Sequence, residues 1–180
     1  MTDSPLAHYA RRLDAFVERI GRGAAWLNLA LVLLVAGNVL ARYLLHVSSV
    51  AMQELEWHLL AALSLLAASY TLQQNDHVRV DIFYQRYPEI VRRWIDGLVP
   101  VVIIIPFALS IAWMSFGFVS QAYGIGEVSP DPGGLGYRFI IKAFIPLGFL
   151  LVAVQALSML LATMAHIGLD DRSVTWSRKR

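Results

Sequence analysis

The stretch FIIKAFIPLGFLLVAVQALSMLLATMA, Phe139–Ala165, decides the fold, because it contains one charged residue over its whole length. A helix needs about 20 apolar residues to cross a hydrocarbon core about 30 Å thick. Three further blocks are long enough: Ala24–Leu45, Ala51–Leu72 and Ile95–Phe118. The chain of 180 residues is 57% hydrophobic and 16% charged, unlike an average soluble domain. We therefore predict an all-α integral membrane protein in which residues 1–180 form one domain with four transmembrane helices.

Positive charge is distributed unevenly among the segments between these blocks. The three segments that carry it contain Arg11, Arg12, Arg19 and Arg22; Arg79, Arg86, Arg92 and Arg93; and Arg172, Arg178, Lys179 and Arg180. The connections 46–50 and 120–137 contain neither Lys nor Arg. Because positive residues next to spans stay in the cytoplasm, this alternation predicts a multi-pass protein of the inner membrane with both termini cytoplasmic.

Two segments outside the spans have the period of amphipathic helices. At residues 5–20 the apolar positions recur every three or four residues: Leu6, Tyr9, Leu13, Phe16 and Ile20. At residues 76–87, after a possible N-cap at Asp76, one side carries Val80, Phe83, Tyr84 and Tyr87, and the remaining positions include His77, Arg79, Asp81 and Arg86. We expect both helices to lie on the cytoplasmic membrane surface, in contact with phospholipid. A polar tail that keeps the period by chance is the alternative for the first.

Polar residues within the spans are candidates for contacts between helices, because each costs free energy in lipid. Asn38 and Arg42 share one side of the first span, and an ion pair of Arg42 with Glu54 is plausible, with Glu56 the less favoured partner. Arg42 as an interfacial anchor stays open. Small residues at Ala61, Ser64 and Ala68 permit close helix approach, and Gln155 and Ser158 offer a hydrogen-bonding edge. Pro100, Pro106 and Pro146 should bend their helices without breaking them.

The residues argue against catalysis and against a bound cofactor. Without cysteine, the chain has no thiolate ligand and no thiol nucleophile. His46 and His58 flank one connection and do not form an evident haem pair, and His77 with Asp81 is at most half a metal site. No Ser/His/Asp set or phosphate-binding glycine loop is present. We expect no enzyme activity and no nucleic-acid binding, since the arginines are explained by topology.

Four motifs together resemble a known family: NVLARYLLH (38–46), MQELEWHLL (52–60), LQQNDHVRVDIFY (72–84) and SPDPGGLGYRFIIKAFIPLGFLLVAVQAL (129–157). They are similar to the small membrane subunit, DctQ type, of tripartite ATP-independent periplasmic (TRAP) transporters. The residues that carry the likeness are Asn38, Arg42, Gln53, Glu54, His77, Val80 and Asp81.

The resemblance implies a non-catalytic scaffold for a larger, elevator-type membrane subunit, which would hold the sodium and substrate sites and import organic acids. It also implies a periplasmic substrate-binding protein as partner. By the same resemblance Asn38, Arg42 and Glu54 would hold the bundle or the subunit contact, and the outward loop around Glu127 and Asp131 would lie where the binding protein docks. The alternative function is a membrane anchor or cytochrome-like subunit of a respiratory enzyme, which would bind haem or quinone.

Overall fold

The protein consists of helices joined by loops in the part that the structure, a computed structural model, describes. This part comprises residues 5–74, 87–88, 91, 95 and 97–177, with the side chains described up to residue 165. The main helices are α1 (Pro5–Leu44), α2 (Val50–Gln73), α3 (Ile105–Gly124) and α4 (Phe139–Ser177). A π-helical turn, Pro100–Ile104, leads directly into α3. No β-strand occurs among the described residues.

Four helical segments are long and apolar enough to cross a membrane, which confirms the predicted fold class. They are Pro5–Leu44, Val50–Gln73, Gly97–Gly124 and Phe139–Ala165. The third extends beyond the predicted end at Phe118, because no helix-breaking residue precedes the glycine-rich loop. The five residues between α1 and α2 make these two helices antiparallel neighbours, and His46, with a φ of 54°, turns the chain there.

The first helix differs from the sequence prediction in one respect. Residues 5–20 do not form a separate surface helix, since α1 continues without interruption over 40 residues, or about 60 Å. Glycine in a helix interior costs up to about 1 kcal/mol, but Gly21 allows α1 to pack closely on α2. A Cβ atom at Gly21 would lie only 2.5 Å from the ring of Tyr70. We call residues 5–22 the arm.

The prolines of the third span leave the helix unbroken, as predicted. Pro106 has no N–H and cannot bond the carbonyl one turn before it. The chain accommodates this with the π-helical turn, where the N–H of Ile105 donates to the carbonyl of Pro100. In α4 the helix likewise continues through Pro146.

Three helices pack against one another, and we call α1, α2 and α4 the trio; α3 is attached to it. Helices α1, α2 and α4 all contact one another, whereas α3 packs chiefly against α4. At Gly148 the backbones of α2 and α4 are so close that a Cβ atom would lie 2.8 Å from the carbonyl oxygen of Leu65. The opposite side of α3 is apolar and open, and Trp113 is 81% exposed there. A surface of this kind suits lipid or a second membrane protein.

The predicted surface helix at 76–87 lies almost entirely outside the described residues. That applies to His77, Arg79, Val80, Asp81, Phe83, Tyr84 and Arg86. Tyr87 is described and is exposed.

Candidate functional site

A buried carboxylate on α2 holds the loop that joins α3 to α4. Glu54 is 3% exposed, one turn inside the start of α2. The hydroxyl of Ser129 donates to its Oε1, and the backbone N–H of Leu135 donates to its Oε2 at 2.6 Å. The guanidinium of Arg138 lies 3.7 Å from Oε1. We call these four residues the loop clasp. It satisfies an anion that would otherwise be costly to bury in lipid.

Arg138 takes the place that the sequence suggested for Arg42. It lies against Glu54 and over the ring of Trp57, 5.5 Å from the ring centroid. Arg42 is exposed and forms no ion pair with a carboxylate of the described residues. The pair of Arg42 with Glu54 that the sequence made plausible is not formed, because the loop returns a closer cation and two hydrogen-bond donors to the same carboxylate. The exposed position of Arg42 suits the alternative role of an interfacial anchor.

The loop itself is ordered by its own backbone bonds. The N–H of Ser129 donates to Leu135 at 3.0 Å, and that of Arg138 donates to Glu127 at 3.2 Å. Gly133 has a φ of 80°, and a Cβ atom at Gly134 would lie 2.8 Å from Glu54 Oε2. Only a residue without a side chain fits between the loop and the carboxylate. The glycine- and proline-rich segment is thus a structured loop.

A second acid–base pair lies at the base of the same loop. The ammonium of Lys142 donates to Glu127 and lies 3.8 Å from the ring centroid of Phe118. The two cations that begin α4, Arg138 and Lys142, are both paired with carboxylates. Asp131 is exposed at the loop tip, where its N–H bonds Ser129 Oγ.

Asn38 is buried between α1 and α2 at the same end of the bundle. Its Nδ2 donates to Glu56 Oε1 at 2.7 Å. Gln53 bonds the hydroxyl of Ser48 at 3.2 Å in the short connection between the two helices. The polar residues of this end, which we call the loop end, thus hold α1, α2 and the long loop in one register.

At the opposite end, which we call the arm end, one residue joins three helices through its side chain and its backbone carbonyl. Asp14 of α1 accepts a hydrogen bond from Ser158 at 2.7 Å and one from Gln155 at 3.1 Å, both on α4. Its backbone carbonyl accepts from Gln73 of α2 at 2.8 Å. Ser158 and Gln155 are fully buried, so these contacts are shielded from competing solvent. The arm is therefore part of the helical bundle.

Between the two ends, hydroxyl side chains bond their own helices. Those of Ser64, Thr71, Ser110 and Ser115 donate to the carbonyls of Leu60, Ala67, Pro106 and Ile111. Such back-bonding satisfies the hydroxyl within one helix. Along the described spans these groups therefore do not form a polar row that leads through the bundle.

Residues 31–166 match the family described as tripartite ATP-independent periplasmic transporters, DctQ component. The chain belongs to this family. It is the small membrane subunit of a TRAP transporter and an integral protein of the inner membrane, and it works with a further membrane subunit and a binding protein. A comparison with curated proteins gave no match.

The other predicted contact residues of this DctQ subunit fall into two groups. Gln155 and Ser158 lie in the core of the trio, bonded to Asp14. Ala61 and Ala68 are half-buried and Ser64 is exposed, so this row is not the tightly packed face of α2. That face is instead formed by Glu54, Ala62, Ser69 and Leu72. Within this row only Ser64 is exposed, and contact of the row with a partner stays a prediction.

The two histidines considered for haem both lie at the loop end, but they have different surroundings there. His58 Nδ1 lies 2.6 Å from the carbonyl of Glu54, and its ring packs on Trp57. His46 occupies the exposed turn after α1. Among the described residues, no group of three or more His, Asp or Glu side chains could hold a metal ion.

Several residues of this DctQ site were not predicted from the sequence. Ser129, Leu135 and Arg138 complete the loop clasp, and Asp14 joins the trio at the arm end. Arg138 and Ser129 stand within a quoted family motif, but nothing local indicates their partner on α2. Asp14 did carry a signal: it lies on the side of α1 that also bears the small residues Ala10 and Gly21.

Proposed function

We propose that this chain is a non-catalytic scaffold in a sodium-coupled transporter that imports organic acids. The larger membrane subunit would carry the substrate and the sodium ions, and this chain would hold its static part in place. The observation that supports this role is the placement of the polar side chains. Within the described residues, the polar side chains that bond a second helix or the long loop lie at the two ends of the bundle, and the hydroxyls between them bond their own helices. A frame of this kind does not require a solute path of its own.

Reconstitution tests the proposal. Proteoliposomes would contain the larger subunit, with the binding protein and a labelled organic acid outside and an inward sodium gradient. Uptake should collapse when this chain is omitted. Replacing sodium by potassium separately tests the coupling ion. Full uptake without the chain would contradict the scaffold role. Full uptake with potassium in place of sodium would contradict only the sodium coupling.

We further propose that the loop end faces the periplasm and that the loop docks the binding protein. The clasp supports this role because it holds the loop in one conformation, with Asp131 and Val128 outward. A rigid surface binds at a lower entropic cost than a flexible one. The prolines, glycines and paired charges of the segment would then contribute by fixing the shape of the docking surface more than by giving it a net charge.

Two matched variants test this docking surface. Val128 and Val47 are 64% and 57% exposed at the loop end, the first on the loop and the second between α1 and α2. Val128→Asp should raise the concentration of binding protein needed for half-maximal uptake, because a charge disrupts an apolar contact. Val47→Asp should not. Equal effects, or no effect of either, would place docking elsewhere.

The absence of cysteine makes the orientation directly testable. A single cysteine at Asp131 should react with a membrane-impermeant maleimide in intact spheroplasts, whereas one at His8 should react only after the membrane is opened. The reverse pattern would show that the arm end is periplasmic.

A further inference from the structure

The arm has a second face that the bundle leaves uncovered. Ala10, Val17 and Gly21 point into the trio with Asp14. At 100° per residue, the positions on the far side of the helix recur at spacings of three, four and three. They alternate between aromatic and basic, and all four side chains are exposed: Tyr9, Arg12, Phe16 and Arg19. We call these residues the aromatic–arginine stripe.

The contacts on the opposite side fix the depth of this stripe. Gln73, which bonds Asp14, is the last residue of α2. The carbonyl of Ala10 lies 2.9 Å from Ser158 Oγ. Ser158 lies about 28 Å of helix beyond Phe139, where α4 begins, and this is close to the thickness of a hydrocarbon core. The stripe therefore lies where the hydrocarbon core gives way to lipid headgroups.

The chemistry of the stripe suits that layer. Phe16, 49% exposed, would place its ring at the boundary between acyl chains and headgroups, and Tyr9, 58% exposed and about 10 Å further out along the helix, would lie among the headgroups. Arg12 and Arg19 lie beside them, and guanidinium groups bind phosphate through paired N–H donors. Arg22, on the neighbouring arc, already donates to Glu18 at 2.6 Å.

We propose that the aromatic–arginine stripe is a binding site for the phosphate of anionic phospholipids in the leaflet at the arm end. The apolar side of the arm then contacts lipid, and its small residues pack against the bundle. Lipid fits better than a protein partner, because rings and cations alternate along the membrane normal at the depth where tails meet phosphates. The proposal concerns the chain by itself and does not depend on its role in transport.

Lipid binding to the full-length chain tests the site. Native mass spectrometry in mild detergent would compare phosphatidylglycerol with phosphatidylcholine. Wild-type chain should retain phosphatidylglycerol preferentially. Arg12→Gln with Arg19→Gln should weaken this binding by roughly tenfold or more. The matched control, Arg11→Gln with Arg22→Gln, removes the same charge from the same helix on another arc and should change it little. Equal loss in both double variants, or no preference in the wild type, would overturn the site.

A second measurement separates lipid from a protein partner. A nitroxide attached to Phe16→Cys, in nanodiscs with phosphatidylglycerol, should collide with oxygen more often than with a water-soluble nickel chelate. The signal should not change when the larger transporter subunit is present. Immobilisation by that subunit would assign the stripe to a protein interface instead, and preferential collision with the nickel chelate would show that it does not enter the membrane.

Discussion

Removing the loop clasp should loosen the loop and leave the rest of the bundle in place. In Glu54→Ala the N–H of Leu135 loses its 2.6 Å acceptor and the hydroxyl of Ser129 loses its partner. The Arg138 guanidinium is left without its carboxylate. The backbone bonds within the loop, such as that from Ser129 to Leu135, are not removed by the substitution. We therefore expect local opening of the loop.

The size of the effect follows from the two bonds. Each hydrogen bond to an ionised carboxylate shifts an opening equilibrium by roughly ten- to a hundredfold. Glu54→Ala removes both, so the loop should open at least about a hundredfold more often. Glu54→Gln should have a smaller effect, roughly tenfold, because its amide oxygen can still accept from Leu135 and the Ser129 hydroxyl can turn to accept from the amide.

Amide hydrogen exchange measures this opening directly. Peptides that cover residues 127–138 would be followed with the chain in lipid nanodiscs. The matched control is Glu56→Ala, which removes a carboxylate two positions further along α2 that bonds Asn38 and not the loop. Exchange in the loop should rise in the order wild type, Glu54→Gln, Glu54→Ala, and should stay at the wild-type rate in Glu56→Ala. Unchanged loop exchange in Glu54→Ala, or an equal rise in the control, would refute the clasp.

Two further predictions concern the packing of the trio. Gly148→Ala places a methyl group 2.8 Å from the Leu65 carbonyl oxygen and should lower stability by about 1 to 3 kcal/mol in thermal unfolding, whereas Gly117→Ala, with open space around it, should not. Asp14→Ala leaves the buried Gln155 amide without its acceptor, while the Ser158 hydroxyl keeps the Ala10 carbonyl, and should cost about 1 to 3 kcal/mol. Glu18→Ala, on an exposed arc of the same helix, should cost less than about 1 kcal/mol. Equal midpoints within either pair would contradict the assigned contacts.

The spans could be predicted from the sequence because their signal is local. About 20 apolar residues in a row suffice, and no knowledge of the neighbours is needed. The partners of Glu54 could not be predicted in this way. Ser129 and Leu135 lie 75 and 81 residues away, and Leu135 contributes a backbone N–H that no residue type reveals. The charge of Arg42 made it a reasonable partner, but the choice between two arginines depends on how the loop returns.

The arm shows a different limit of prediction from sequence. The spacing of its apolar residues correctly indicated a helix, but a hydrophobic arc identifies a packing face only when water is the alternative. In lipid, large apolar side chains gain little by leaving the membrane, and helices approach each other through small residues. The face that packs is accordingly the one with Ala10, Val17, Gly21 and Ala24. The spacing of the small residues was the feature of the sequence that could have identified the packing face.

The same reasoning explains why charged groups stand at the two ends of this bundle. Without a hydrophobic force between helices, contacts along the apolar middle do not by themselves fix how far one helix slides past another. Asp14 fixes α1 against α2 and α4 at the arm end, and Glu54 fixes α2 against the loop at the other. Helix α3 packs chiefly on α4 and is tied to α2 mainly through the loop that follows it. If any part of this subunit adjusts to a partner, we therefore expect α3 to move while the trio stays fixed.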